Sequence, residues 1–185
     1  MRLSNDIDIH THSGPVRPDA VLCVDPVEAA FLPPGDGQLS VGIHPWNAGK
    51  TDSEVWRRLE GWLDDNRVVA VGEIGLDRLR GPAMDIQRGV FESQALMAAE
   101  RHLPVVVHCV RATEILLEIR KKLFPVGHDS EQWILHGFRG KPTLAEQLLK
   151  NGIDLSFGKI RNEESYALTP PSRRYYETDT NITPQ

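Results

Sequence analysis

Six side chains able to bind a metal lie at or just past the ends of short apolar runs. They are His10 and His12 in DIDIHTH, Glu73 in VVAVGEIGLD, His108 in LPVVVHC, His136 in QWILHG and Asp179 in YYETD. Each apolar run reads as a buried strand, so each polar residue stands where a strand emerges at one rim of a sheet or barrel. Imidazoles and carboxylates drawn to one rim from distant parts of a chain suggest a metal centre. His10 and His12 are two apart on a strand and point to one face, so both can meet one ion. Asp8 shares their parity and is a candidate to orient a ligand from behind.

Each residue also has a plainer reading. An HxH pair can be two ordinary rim histidines. His108 and His136 would each serve as a hydrogen-bonded core histidine, and Asp179 as a turn or cap residue. A carboxylate in the strand of Val, Ala and Gly around Glu73 is costly unless a cation or hydrogen bonds compensate it, and a structural salt bridge would do so. Their joint occurrence in successive strands favours a single site over separate accidents.

The elements that must position these groups alternate. Strands are expected at 6–10, 20–25, 38–43, 68–74, 104–109, 133–138, 154–158 and 173–179. Helices are expected at 53–66, 85–102, 111–124 and 142–151. Ser53 is the expected N-cap of the first, which carries Val55, Leu59, Trp62 and Leu63 as its apolar stripe. Ile86, Val90, Phe91, Gln94 and Met97 form the stripe of the second. Pro142 suits a first helical turn and Gly152 a helix end. The segment 27–37 is at most a short helix, ended by Pro33, Pro34 and Gly35.

Strand–helix alternation with short loops implies a parallel sheet with right-handed crossovers. Eight strands favour a compact, distorted (β/α) TIM-type barrel. At 185 residues the chain forms one domain, 1–185, short of the ~250 residues typical of that fold. Helices are therefore expected to be missing or minimal after the first, seventh and last strands.

Composition narrows the function. The chain is 40% hydrophobic and 25% charged, and no apolar stretch approaches the roughly 18 residues of a membrane span. The opening MRLSNDIDIHTH has no basic start followed by an apolar core, so no secretory signal is expected. Two cysteines, Cys23 and Cys109, in no CxxC pattern suggest a reduced, cytoplasmic protein with both thiols buried in strands. The net charge of −5 argues against broad, nonspecific nucleic-acid binding, while leaving room for a local basic mouth.

With these residues assembled, the chain resembles the TatD-related DNase family of the metal-dependent hydrolases, and its short bacterial branch in particular. The matching segments are DIDIHTH, SVGIHPW, VVAVGEIGLD, LPVVVHC with Arg111, ILHGFRG, DLSFG and YYETD, in the family's order and over nearly the whole chain. The resemblance implies one divalent ion held by His10, His12, Glu73 and Asp179, and a second by Glu73, His108 and His136, with Glu73 bridging. It implies Mg, Mn or Zn as the ion, DNA phosphodiesters as substrate, and Asp179 as the residue that holds or deprotonates the attacking water. Asp179 and Glu73 are thus the expected catalytic residues.

His44 is a candidate substrate-binding residue, with a turn set by Pro45 as its plainer role. Arg111, Arg139 and Lys159 follow motif-bearing strands and are candidate phosphate contacts. Trp46 and Phe138 are expected mainly to pack, with base stacking as the other reading.

The family pattern continues beyond its last strand into a C-terminal helix, whereas this chain ends six residues past Asp179. A barrel surface left uncovered there, and self-association through it, are expected. Two other functions stand beside the nuclease: hydrolysis of small phosphoesters or amides on the same fold, and a noncatalytic metal-binding or interaction domain.

Overall fold

The computed structural model describes residues 2–124 and 132–179. Eight strands close into a barrel in chain order, and every neighbouring pair is parallel. They are β1 (Asp8–Thr11), β2 (Ala20–Val24), β3 (Gln38–Val41), β4 (Val68–Asp77), β5 (Val105–Val110), β6 (Trp133–Leu135), β7 (Ile153–Phe157) and β8 (Arg174–Tyr176). The helices are α1 (Ser53–Leu63), α2 (Met84–Glu100), α3 (Thr113–Leu123), α4 (Pro142–Lys150) and α5 (Glu163–Leu168). Two 3-10 helices, Pro45–Lys50 and Pro171–Arg173, complete the described elements.

Strand alternation divides the core in two. Ile9, Val21, Ala70, Val106, Ile134 and Tyr175 meet in one cluster inside the barrel. Their neighbours on the outward face, such as Leu22, Val71, Val105, Val107, Trp133 and Leu155, pack against the helices through Leu59, Phe91, Leu116 and Leu148. Trp133 is fully buried, with Phe91 at 5.3 Å and Phe124 at 5.9 Å between ring centroids.

Several expectations change in detail. The helix at 53–66 is capped by Asp52, not Ser53. The Asp52 carboxylate accepts the N–H groups of Glu54 and Val55, both at 2.9 Å, which satisfies two donors the helix cannot. Residues 27–37 form no helix, so the β2–β3 connection joins the β1–β2 connection in lacking one. The connection after β7 carries only a minimal helix, the six-residue α5 capped by Asn162, as expected. Ile86 lies off the buried stripe of α2 and is 43% exposed, whereas Gln87 faces inward. β6 and β8 are shorter than expected, so His136 and Asp179 stand past their strands on the rim. The segment after Asp179, including NITPQ, lies outside the described residues.

Two buried glutamines explain how α2 sets the rim. Gln94 accepts from Ile43 N at 2.7 Å and donates to Ile43 O at 3.2 Å, which fixes the chain just before His44. Gln87 accepts from Asp77 N at 2.7 Å and donates to the carbonyls of Asp77, Arg80 and Pro82, which fixes the loop leaving β4. A buried amide with all its bonds made stabilises both loops in single conformations.

Candidate metal centre

Glu73 is the hub of the rim. It is 3% exposed, and imidazole nitrogens from five histidines surround its carboxylate. Oε2 lies 3.3 Å from His10 Nε2 and 3.0 Å from His12 Nε2. Oε1 lies 2.5 Å from His108 Nδ1, 2.6 Å from His136 Nε2 and 3.4 Å from His44 Nε2. The two oxygens thus divide the histidines into two sets.

Closure of the barrel delivers the last member. Asp8 accepts from Thr178 N at 3.0 Å and Thr178 Oγ1 at 2.6 Å, and Asp179 N donates to His10 O at 3.1 Å. These bonds clamp β1 to the segment past β8. They bring a carboxylate oxygen of Asp179 within 4.8 Å of nitrogens of His10 and His136. Asp8 therefore acts on the backbone, also accepting from His10 N at 3.2 Å, and does not orient an imidazole as its parity suggested. Asp179 sits at φ 40°, a left-handed conformation that Asp tolerates better than most residues.

Two carboxylates that had not been singled out stand behind the histidines. Asp77 Oδ2 lies 3.3 Å from His108 Nε2, on the opposite side of that ring from Glu73. It also accepts from Trp46 Nε1 at 2.7 Å. Glu177 is 1% exposed, accepts from Gly137 N at 2.5 Å, and approaches His136 Nδ1 at 3.8 Å. Carboxylates behind metal-binding imidazoles fix the tautomer and raise ligand basicity. Both were within reach of the sequence: Glu177 shares strand parity with Asp179, and Asp77 ends the same strand as Glu73.

The electrostatics follow from burial against charge. Burial pushes the Glu73 carboxyl up, but the His136 charge and the imidazole hydrogen bonds hold it well below the usual carboxylate range. Burial opposes protonation of His136, yet the Glu73 charge, with Glu177, holds its pKa well above the ordinary value. Burial also opposes protonation of His12, but the Glu73 hydrogen bond and charge, with the Asp179 charge, together raise its pKa. His10, wholly buried and beside His136, is lowered mainly by desolvation. A cation between these groups would replace the shared protons.

The donor set fits such a cation. Among the described residues, both ring nitrogens of His10 are buried without a hydrogen-bond partner, and three groupings of ligand atoms are close enough to share an ion. They are His10, His12 and Glu73; His10, His136 and Asp179; and His44, Glu73 and His108. Imidazole and carboxylate together suit first-row divalent metals.

All six expected metal ligands and His44 converge. Arg111, Arg139 and Lys159 stand exposed on the loops leaving β5, β6 and β7. Among the described residues, none of the three bonds to the cluster. Phe138 is buried and packs on Phe157 at 5.8 Å, as expected of a core ring. Trp46 is 38% exposed beside the cluster.

A closed parallel barrel with these candidate ligands gathered toward the C-terminal side of its strands belongs to the class of (β/α) barrels. Within that class the assignment is specific: residues 34–184 match the family model described as TatD related DNase, and the chain belongs to that family. It is 33% identical over 120 residues to the metal-dependent hydrolase YabD of Bacillus subtilis, covering 64% of this chain and 46% of that one. It is 32% identical over 149 residues to the 3'-5' ssDNA/RNA exonuclease TatD of Erwinia amylovora, covering 76% of this chain and 56% of that one. The chain thus spans about half the length of these relatives. The fold is similar to that of YJJV, a TatD homologue from Escherichia coli, with TM-score 0.74 and 24% identity over 95% of this chain and 79% of that one. A TatD-family hydrolase from Entamoeba histolytica gives TM-score 0.69 and 22% identity over 86% of this chain and 60% of that one.

Proposed function

We propose that this chain is a metal-dependent nuclease that hydrolyses phosphodiester bonds of DNA. The observation that carries the reading is the division of the Glu73 oxygens between two histidine sets. On it, His10, His12, Glu73 and Asp179 hold one divalent ion, and Glu73, His108 and His136 a second. Divalent ions so held lower the pKa of water toward ~7 and neutralise charge on a phosphodiester. Histidine-rich ligation favours Mn or Zn over Mg.

The chain's own residues supply the rest. Asp179, at the junction of the two sets, accepts the proton of the attacking water. Water oxygen bonds to phosphorus and the leaving ester oxygen departs. His44 Nδ1 accepts from Trp46 N at 3.2 Å, so in the neutral ring Nε2 carries the proton. That protonation suits donation to a phosphate oxygen and disfavours ligation through Nε2. Arg111, Arg139 and Lys159 form a basic side to the mouth that meets the phosphates flanking the cleaved bond.

The relatives named for single-stranded DNA and RNA make both polymers the first substrates to try. The test is a panel of single-stranded DNA, RNA, small phosphoesters and amides. It uses chelator-stripped protein reloaded with Mn, Zn or Mg, beside Glu73→Ala and Asp179→Ala. Metal-dependent cleavage of an oligonucleotide by wild type alone supports the reading; equal rates in all three proteins attribute cleavage to a contaminant and defeat it. Turnover of small esters alone assigns the second function.

Among the described residues, no helix is long and apolar enough to cross a membrane. A cytoplasmic location is part of the proposal, supported by two free cysteines, Cys23 and Cys109. So is self-association over the outer surface of β8, where Tyr176 is 49% exposed.

A further inference from the structure

Trp46 is placed unusually for a residue whose sequence context suggested packing. Its ring centroid lies 4.7 Å from that of His44 and 6.2 Å from that of His108. Its N–H edge is fixed by the 2.7 Å bond to Asp77 Oδ2. The ring is nevertheless 38% exposed at the rim. The Arg80 guanidinium lies 4.6 Å from the ring centroid. Arg80 is itself exposed and, among the described residues, has no carboxylate partner.

One carboxylate organises the pair. Asp77 Oδ2 holds the indole, while Asp77 Oδ1 accepts from Leu79 N at 2.7 Å and Arg80 N at 3.2 Å. Gln87 fixes the Arg80 carbonyl at 3.0 Å. The result is a flat, rigid aromatic surface carrying a cation, within one ring's width of the metal-centre histidines. A buttress for Asp77 would need only the indole N–H edge and would leave no reason to expose the ring.

We infer that Trp46 and Arg80 form a base-stacking subsite, which seats one unpaired nucleobase next to the bond being cleaved. The inference rests on the nuclease reading and narrows it. Stacking on a side chain requires a base free of its duplex partner, so the subsite selects single strands. Arg80, lying over the ring, meets the phosphate that adjoins the stacked base, and an indole accepts any base.

The test uses the full chain loaded with Mn and single-stranded DNA oligomers. The oligomers are either intact or carry an abasic nucleotide at the terminal or penultimate 3' position. Metal content is measured for every variant. Wild type is expected to show KM about tenfold higher for one of the abasic oligomers. Trp46→Ala should show that raised KM for intact and abasic oligomers alike. Trp46→Phe, which keeps a ring but loses the bond to Asp77, should retain a several-fold preference for the intact oligomer. Arg80→Ala should lower the slope of log KM against log salt by about one.

The subsite is overturned if Trp46→Ala discriminates as wild type does. It is equally overturned if Trp46→Phe loses discrimination as fully as Trp46→Ala, because Trp46 then acts only through Asp77. An unchanged salt slope in Arg80→Ala overturns the paired subsite. Failure of wild type to cleave any oligomer defeats the nuclease reading first and the subsite with it. Cleavage by wild type with no cost for either abasic oligomer defeats the subsite alone.

Discussion

His136 Nε2 lies 2.6 Å from Glu73 Oε1, with the two side chains 9% and 3% exposed. A charge pair so withdrawn from water is stable only with its partners in place, because removing one leaves the other buried and uncompensated. His10 and His12 take the other oxygen of the same carboxylate. If Glu73 bridges two ions, the sites are separable by mutation. Metal analysis after stripping and reloading should give two equivalents for wild type, one for His136→Ala and none for Glu73→Ala. Two equivalents in His136→Ala would rule out the division of ligands.

Asp179 reaches the site through the clamp between β1 and the segment past β8. As a proton acceptor it should matter more for turnover than for substrate binding. Asp179→Asn is expected to lower kcat by about 10² to 10⁴ while KM changes little. The ion held by Glu73, His108 and His136 should remain. A fall in kcat below threefold would remove Asp179 from the proton-transfer role.

Asp77 stands behind His108 and is held below its usual pKa, burial notwithstanding, chiefly by the Trp46 hydrogen bond, then by the Leu79 N–H and His108. Asp77→Asn preserves an oxygen for the Leu79 and Arg80 N–H groups but removes the charge. Metal affinity should weaken about 10- to 100-fold with little change in Tm. Unaltered affinity by competition with a chromogenic chelator would show that Asp77 only shapes the loop.

Gly75 has φ 148°, and a Cβ placed there would lie 1.9 Å from the His108 carbonyl oxygen. Gly75 pairs with His108 across β4 and β5, so relief requires separating the strands that carry two of the ligands. Gly75→Ala should destabilise the fold by about 3 kcal/mol, lowering Tm by roughly 6–12 °C. A Tm within 2 °C of wild type, read by calorimetry, would contradict this close approach.

Asp65 is held down to about 2, foremost by its side-chain hydrogen bond to Arg67. Arg67 in turn donates to Pro33 O at 2.8 Å and Gly35 O at 2.9 Å, tying the β2–β3 connection to the turn before β4. A folded pKa below the ordinary 3.8 contributes stability that is present above pH ~4 and lost as pH falls through about 2. The difference between the urea midpoints of wild type and Asp65→Asn should therefore be full at pH 6 and shrink progressively as pH falls from about 4 toward 2. A constant gap across that range would show that the pair adds no pH-dependent stability.

The sequence by itself determined the strand order and the position of each candidate ligand within it. Residues near the ends of buried parallel strands gather at one rim, and that rule points to His10, His12, His108, His136 and Asp179, whereas Glu73 lies four residues short of the end of β4 and is brought to them by the barrel's closure. Helix positions were legible from apolar spacing, while caps such as Asp52 and the inward turn of Gln87 were not, because they depend on what the loop or neighbouring strand offers. Tertiary structure decided which oxygen of Glu73 meets which histidine, that Asp8 holds backbone while Asp77 and Glu177 stand behind imidazoles, and that Trp46 is left exposed. Strand periodicity fixes the face of a side chain. The reach across a closed barrel depends on stagger, bulges and loop anchoring, which arise only when distant strands pair.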